Sequence, residues 1–448
     1  MILANGKVYD SSLQGELLGG LEREIDGTRT HGRLRPETVI GAVGALRSKL
    51  LAGEFQEQID RLAESGAHGT ENVRTQIAQV LELLRREHLE YKLRVELGFG
   101  GTGTKQRALY GEYVTKPRFG QQALRVRTVP LGTLFHIAAG NIDGLPVYSV
   151  LEGLLTGNVN ILKLPQADSG LSIEILRELI AIEPELAPYI YVFDTPSEDI
   201  EAMRRMADMS DGIVVWGGDG AVQAVRQMAK PGTRLIEWGH KLGFAYLSGY
   251  EDRQSELRGL AEHIVGTRQL LCSSCQVIYL DTESMEEVYA FCGEFMPYLQ
   301  AAVNRNPQSG ISALGTQAEI SLRRYCDRVE DILAGADTGE QKVFYGQGCS
   351  LTAMTDSELE LSYMFGNCLV KRLPRNRIFT QLRRHKVYLQ SVGLICDSDR
   401  REELTELFAA CGLVRIMRAG HQSDSFVGEA HDGEYALQRY VRVVNVEP

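Results

Sequence analysis

The chain has 448 residues, 44% of them apolar and 24% charged, with 46 glycines against 13 prolines. That length suits two or three domains of about 150 residues each and a core that needs no disulfide or metal staples. The composition excludes a disordered or collagen-like protein, and a net charge of -11 argues against a nucleic-acid scaffold while leaving room for a local basic pocket. The first ten residues lack the basic stretch and apolar run of a secretory signal. No segment holds about 18 consecutive apolar residues; the most apolar region, residues 131–164, is broken by His136, Asn141, Asp143 and Glu152. Eight scattered cysteines fit reduced thiols. The expectation is a soluble, cytoplasmic protein with no membrane segment and no nucleic-acid partner.

Along the chain, residues 36–95 read as helices, with Leu46, Leu50, Leu51 and Ile59, then Val80, Leu81, Leu83 and Leu84 at near-helical spacing. Residues 98–103 are a glycine-rich breaker that nearly spells a P-loop, but Thr104 stands where that motif needs lysine. Residues 110–128 alternate as an extended ribbon. From residue 130 strands alternate with helices: strands at 133–138, 159–164, 189–193 and 212–216, helices at 144–156 and 169–182, and Gly157 as a helix stop. Thr195, Pro196 and Glu198 read as a capping box with proline at the first helical position. Gly217–Gly220 opens a helix running to residue 230. A second series has helices at 251–265, 284–303, 317–334 and 399–411 and strands at 276–280, 368–373, 387–395 and 414–417, with a strand-like end at 435–446. Such alternation predicts α/β architecture, parallel sheets covered by helices.

Several residues could carry chemistry. Cys272, between a helix and a buried strand, is a candidate nucleophile; the same position suits a buried structural thiol. Cys275 makes a Cys-x-x-Cys pair with it, but no second pair completes a zinc site, so no metal is expected. Asn141, in a strand-to-helix turn, can donate to an oxyanion or merely cap the helix. Lys163 ends a strand, where open α/β sheets bind ligands. Glu237 is a carboxylate in an apolar stretch, an acid/base candidate if burial raises its pKa, and His240 and His136 carry the same ambiguity.

The order of these residues resembles the aldehyde dehydrogenase superfamily: Pro130-x-Gly132, Asn141, Leu154-Leu-Thr-Gly-Asn158, Lys163-x-Pro165, the turn at Gly217, Glu237-Trp-Gly239 and Cys272. More narrowly, Gln269-x-x-Cys-Ser-Ser274 and Gly428-Glu-Ala-His-Asp-Gly433 with Tyr435-Ala-Leu437 look like the long-chain acyl-CoA reductase (LuxC-like) branch, which includes the reductase of the luminescence-type fatty-acid reductase complex. The chain departs from the superfamily at Leu270, where glutamine is usual, at Val222, where glycine is expected, and at Gln166, where NAD-specific relatives often carry an acid.

The resemblance implies an aldehyde-dehydrogenase-like fold: a Rossmann-like cofactor domain (residues 1–111 and 129–264), an α/β catalytic domain (265–425) and a small β bridging or oligomerisation arm (112–128 and 434–448). It implies NADPH-dependent reduction of a fatty acyl-CoA or acyl thioester to the aldehyde through an acyl-Cys272 intermediate. In that scheme Asn141 holds the oxyanion, Glu237 carries the proton, and Lys163, Pro165, Gln166, Gly217, Gly218 and Gly239 bind the dinucleotide. The neutral Gln166 beside Lys163 favours NADPH over NADH. It further implies a homodimer or homotetramer and an acyl-activating synthetase as partner. The competing readings are an NAD(P)-dependent aldehyde dehydrogenase and a catalytically silent partner protein.

Overall fold

The computed structural model describes residues 1–57, 59–60, 77–78, 80–98, 112–114, 124–138, 144–166, 168, 170–306, 318–323, 325–326, 329, 333 and 342–447. They form two compact units, Met1–Gly239 with Ser425–Pro448, and His240–Asp424.

The first unit starts with a hairpin of β1 (Ile2–Ala4) and β2 (Lys7–Tyr9), whose Asn5 and Gly6 take φ of 51° and 71° as a two-residue primed turn requires. Helices α1 (Gln14–His31), α2 (Pro36–Leu51) and α3 (Arg86–Leu97) follow. Gly98, in a left-handed conformation, ends α3; the rest of the P-loop-like stretch lies outside the described residues. Then come β3 (Glu112–Val114), β4 (Arg125–Pro130), β5 (Thr133–Ile137), α4 (Leu145–Leu155), β6 (Val159–Lys163), α5 (Leu171–Ile182), β7 (Ile190–Phe193), α6 (Ile200–Asp208), β8 (Gly212–Trp216), α7 (Asp219–Met228) and β9 (Arg234–Trp238).

Strands β7-β6-β5-β8-β9 lie parallel in a seven-stranded sheet, with β1 antiparallel on β7 and β2 outermost. Sequence order reverses between β5 and β8, which is the switch point where such sheets bind dinucleotides. Helix α4 is buried almost all round, and Val150, Leu151, Leu154 and Leu155 are fully enclosed, as a helix apolar on every side must be. Each such side chain contributes about 1.5–3 kcal/mol of burial.

The superfamily-like motif residues here hold backbone together. Gly132 N–H donates to Asn158 Oδ1 at 2.8 Å, and Asn158 Nδ2 donates to Thr156 Oγ1 at 2.8 Å and to the Tyr440 carbonyl at 2.9 Å. Gly132 has φ 142°, and a Cβ there would fall 2.2 Å from Asp211 Oδ2, so both conformation and space demand glycine.

The second unit runs β10 (Leu242–Ser248), α8 (Arg253–Gly266), β11 (Cys275–Leu280), α9 (Met285–Arg305), β12 (Lys342–Tyr345), β13 (Ser350–Met354), β14 (Asn367–Arg372), α10 (Ile378–Leu382), β15 (Leu389–Cys396), α11 (Ser398–Cys411) and β16 (Arg415–Arg418). Its seven-stranded sheet has the order β12-β13-β14-β11-β10-β15-β16, parallel except for β12 against β13. The chain then returns to the first unit as α12 (Ala436–Arg439) and β17 (Val441–Val446). There β17 pairs with β4, and β4 with β3, in a separate antiparallel sheet.

Two expectations are corrected. The division falls at Gly239/His240 and not at residue 264, because β10 is hydrogen-bonded between β11 and β15 and takes α8 with it. The capping box at Thr195–Glu198 does not cap. Asp199 does, accepting from the Ala202 N–H at 3.1 Å, while the Thr195 hydroxyl donates to Gln14 Oε1. Part of the 317–334 helix lies outside the described residues; 318–323 are helical.

Candidate active site

In the first unit, strand register brings most of the sequence-derived site residues to the carboxyl edge of the sheet. Lys163 ends β6, buried, and its Nζ donates to Ser197 Oγ at 2.9 Å. Burial lowers its pKa, partly offset by the Glu198 carboxylate. Pro165 follows half-buried and Gln166 exposed. Gly217 closes β8, its N–H donating to the Trp238 carbonyl at 3.2 Å, and Gly218 caps α7. A Cβ on Gly217 would meet Ala221 Cβ at 3.0 Å, whereas at Gly218 nothing lies within 4 Å. Asp219 puts a carboxylate in the first turn of α7, which repels a phosphate from that helix end.

Glu237 lies one residue before the end of β9, but not in apolar surroundings. Both its oxygens accept from Arg226 of α7 (Nε and Nη2, 2.6 Å each), and the pair raises the Arg226 guanidinium pKa. Strand alternation turns the next side chain, Trp238, to the other face. There Trp216, Trp238 and His431 pack ring on ring, with centroids 4.9–5.5 Å apart. His431 sits in a tight hairpin with His431 and Glu434 bridged across Asp432 (φ 48°) and Gly433 (φ 80°). Gly239 follows Trp238, half-buried.

His136 is fully buried beneath this cluster. Asn160 Nδ2 donates to the Asn158 and Tyr189 carbonyls, so its Oδ1 accepts from His136 Nε2 at 3.0 Å. His136 Nδ1 then accepts from Ser149 Oγ at 2.7 Å, and Ser149 accepts from Trp216 Nε1 at 3.2 Å. Burial pushes the His136 pKa down to about 4. The imidazole is therefore a neutral spacer that fixes the Trp216 ring. Asn141 lies outside the described residues.

In the second unit Cys272 lies on the loop between α8 and β11, at the amino edge of the sheet. It is half-buried, and its Sγ accepts from Gln390 Nε2 at 3.2 Å. Gln390 is buried near the start of β15.

The loop is clamped. Arg268 and Gln269 carry φ of 51° and 61°, and Met364 and Phe365 carry 60° and 52°, conformations that cost about 1–3 kcal/mol each and persist only where the surroundings enforce them. The two strained turns hold each other: Phe365 N–H donates to the Arg268 carbonyl at 3.0 Å, and Gly366 N–H to Gln269 Oε1 at 3.0 Å. Gln269 Nε2 donates in turn to the Cys275 carbonyl and to Ser362 Oγ, each at 2.9 Å.

On the other side of the loop, Ser391 Oγ donates to the Ser273 carbonyl at 3.1 Å. A Cβ on Gly243 would lie 2.6–2.8 Å from Ser391 Oγ and from the Ser274 and Ser273 carbonyl oxygens, so only glycine lets β10 pass beneath. His263 of α8 is held neutral by burial, with a pKa near 4, and its Nε2 accepts from the Cys275 N–H at 3.3 Å.

Cys275 itself is buried in β11 with its Sγ on the Val277 carbonyl, so the Cys-x-x-Cys pair faces two environments. Among the described residues there is no group of three His, Cys, Asp or Glu that could hold a metal, and no helix is long and apolar enough to cross a membrane.

Residues 33–443 match the family profile "Acyl-CoA reductase (LuxC)". The chain belongs to the acyl-CoA reductase (LuxC) family. Relatives include the long-chain acyl-protein thioester reductase of Vibrio harveyi, 24% identical over 72% of this chain, and long-chain acyl-protein thioester reductase 2 of Photobacterium leiognathi, 26% identical over 72%. In both cases the match spans 65% of the relative's own length. Solved aldehyde dehydrogenases share the fold of this LuxC-family chain. The NADP-dependent glyceraldehyde-3-phosphate dehydrogenase of Bacillus halodurans has a TM-score of 0.71 at 14% identity, covering 99% of this chain and 98% of its own. Aldehyde dehydrogenase 21 of Physcomitrella patens has a TM-score of 0.70 at 13% identity, covering 98% and 90%.

Sequence reasoning missed Gln390, Trp216, Trp238 and the roles of Gln269 and His263. A glutamine inside the otherwise apolar run Leu389–Cys396 was the available signal, since a buried amide needs a partner.

Proposed function

We propose that the protein reduces an acyl thioester, a fatty acyl-CoA or its carrier-bound equivalent, to the aldehyde through an acyl-Cys272 intermediate, with NADPH as reductant. The observation that carries this reading is the half-buried Cys272 thiol, with an amide donor on its sulfur and a loop clamped by two strained turns. That arrangement suits a positioned nucleophile. A structural thiol needs none of it, as the enclosed Cys292, Cys349 and Cys411 illustrate, their pKa values pushed up by burial to about 11–12. The names carried by the family relatives support the same substrate class.

The carboxyl edge of the first sheet suits a nicotinamide dinucleotide. Lys163 offers a buried ammonium to the adenosine ribose or its 2′-phosphate, Pro165 and the neutral Gln166 add no repulsion, and Gly217, Gly218 and Gly239 keep the backbone approachable. The acid at Asp219 turns the pyrophosphate away from α7. A dinucleotide bound there would supply hydride.

Cys272 attacks the thioester carbonyl, forming a C–S bond. The oxyanion is held by the Asn141 amide and the Cys272 N–H, and the donor thiolate leaves as the carbonyl re-forms. After reduction the thiohemiacetal on Cys272 breaks its C–S bond, the electrons return to sulfur and the aldehyde departs. Glu237 takes the hydroxyl proton of the thiohemiacetal as the C–S bond breaks and releases it to solvent, for which it must part from Arg226, and the departed donor thiolate is protonated from solvent. We further propose that β17, with Val443 and Val444 exposed, contributes to a homodimer or homotetramer, and that an acyl-activating synthetase is the partner that delivers the acyl group.

The test is intact mass after incubation with a panel of acyl thioesters and no cofactor. One acyl group on Cys272 is expected, discharged as aldehyde on adding NADPH. A Cys272→Ala variant that still oxidises NADPH in an acyl-CoA-dependent way would overturn the mechanism.

A further inference from the structure

Thiolates in proteins are ordinarily favoured by a helix N-terminus, by a neighbouring cation or by an imidazolium. Cys272 follows the C-terminal end of α8, six residues after Gly266, where the helix field disfavours negative charge. His263 beneath the loop is neutral and already accepts from the Cys275 N–H. Ionisable groups on the elements packed round the loop include Arg268 on the loop itself, His240 and Lys241 ahead of β10, Arg415 of β16, which pairs with Ser391 and donates to the Asp424 carbonyl, and His421 and Asp424 behind β16. Arg268 is partly buried, Lys241 Nζ donates to the Val387 carbonyl at 3.0 Å, and His421 and Asp424 bond to each other at 2.7 Å. The Gln390 amide nitrogen reaches the sulfur at 3.2 Å.

We propose that Gln390 is a further catalytic residue, whose carboxamide N–H donates to the Cys272 sulfur and stabilises it as thiolate. The inference rests on the acyl-cysteine reading above and adds the device that activates the nucleophile. An uncharged donor suits a sulfur that changes charge twice in each turnover. A thiolate accepts such a bond strongly and an acylated sulfur weakly. Gln390 thus favours the free thiolate both before acylation and as the group expelled when the thiohemiacetal breaks. β15 places it there by register: Leu389 pairs with Leu242, Ser391 with Gly243, and Gly243 with Cys275. The strand that carries Gln390 also carries Ser391, which holds the Ser273 carbonyl, so donor and loop are fixed by neighbouring residues.

The test measures iodoacetamide alkylation of Cys272 in the full-length protein against pH, resolved by peptide mass spectrometry, with exposed Cys326 as internal reference. For Gln390→Leu the midpoint of the rate–pH curve is expected to rise by about one unit, with alkylation at neutral pH slowed about five- to tenfold. Gln390→Glu, of the same size but with an acceptor and a negative charge in place of the donor, is expected to move it further. It carries the test should the leucine variant fail to fold. Midpoints unchanged from wild type in a folded variant would overturn the proposal. Failure of the acyl-cysteine reading looks different: the wild-type protein takes up no acyl group, while its alkylation curve is unaffected.

Discussion

The two seven-stranded sheets are built alike, and they present their candidate residues at opposite ends. The first gathers Lys163, Gly217 and Gly239 at the carboxyl edge, next to the point where strand order reverses. The second offers Cys272 at the amino edge, where α8 ends and β11, β10 and β15 begin. The carboxyl edge comes with helix N-termini and needs only approachable backbone and a cation to hold an anionic ligand. The amino edge faces helix C-termini, so a nucleophile there must be supported by strained turns, buried amides and a side-chain donor.

If that contrast is right, crowding the amino edge should be far more damaging than crowding the carboxyl edge. Gly243→Ala puts a methyl group against two carbonyl oxygens and a hydroxyl, and is expected to cost about 3 kcal/mol in urea unfolding. Gly218→Ala, with open space around it, should stay within about 0.5 kcal/mol. Equal effects would erase the distinction.

Acid should strain both units in the same sense. His136 in the first and His263 in the second have folded pKa values near 4 against an ordinary 6.5. The unfolded chain therefore binds protons that the folded one refuses, and stability falls as pH drops from about 6.5 toward 4. The loss is of the order of 3 kcal/mol for each histidine. Unfolding curves at pH 7 and pH 4.5 check the direction, and His136→Gln or His263→Gln should flatten the slope.

A smaller effect than that of either histidine is expected from the cation at the carboxyl edge. Lys163→Met should raise KM for NADPH about tenfold, about 1.4 kcal/mol, while acyl uptake by Cys272 without cofactor stays unchanged. A loss of acyl uptake would show that the two ends do not divide the work as proposed.

Much of the first sheet was legible in the sequence, because β5, α4 and β6 are long, apolar and bounded by Gly144 and Gly157. The ends of elements were less so. Thr195 and Ser197 have the right spacing for a cap, but their hydroxyls are taken by Gln14 and Lys163, partners that no local rule reveals. The short strands β12 and β13 carry too little periodicity to stand out. At the site, Cys272 and Lys163 were visible through motif order. Gln390 was not, because its meaning depends on β15 lying beside β10, and register is a property of the sheet. The Arg226 partner of Glu237 was hidden for the same reason: an apolar neighbourhood in sequence does not exclude an arginine from the adjoining helix.

The return of residues 425–448 to the first unit has a consequence for biosynthesis. Asn158 donates to the Tyr440 carbonyl, and Arg234 to the Arg439 and Val441 carbonyls. These acceptors are translated only after residues 240–424. The unit that carries the thiol is one continuous stretch, synthesised in full before those acceptors exist. The first unit must wait, with β4 lacking its β17 neighbour, until residues 441–446 emerge.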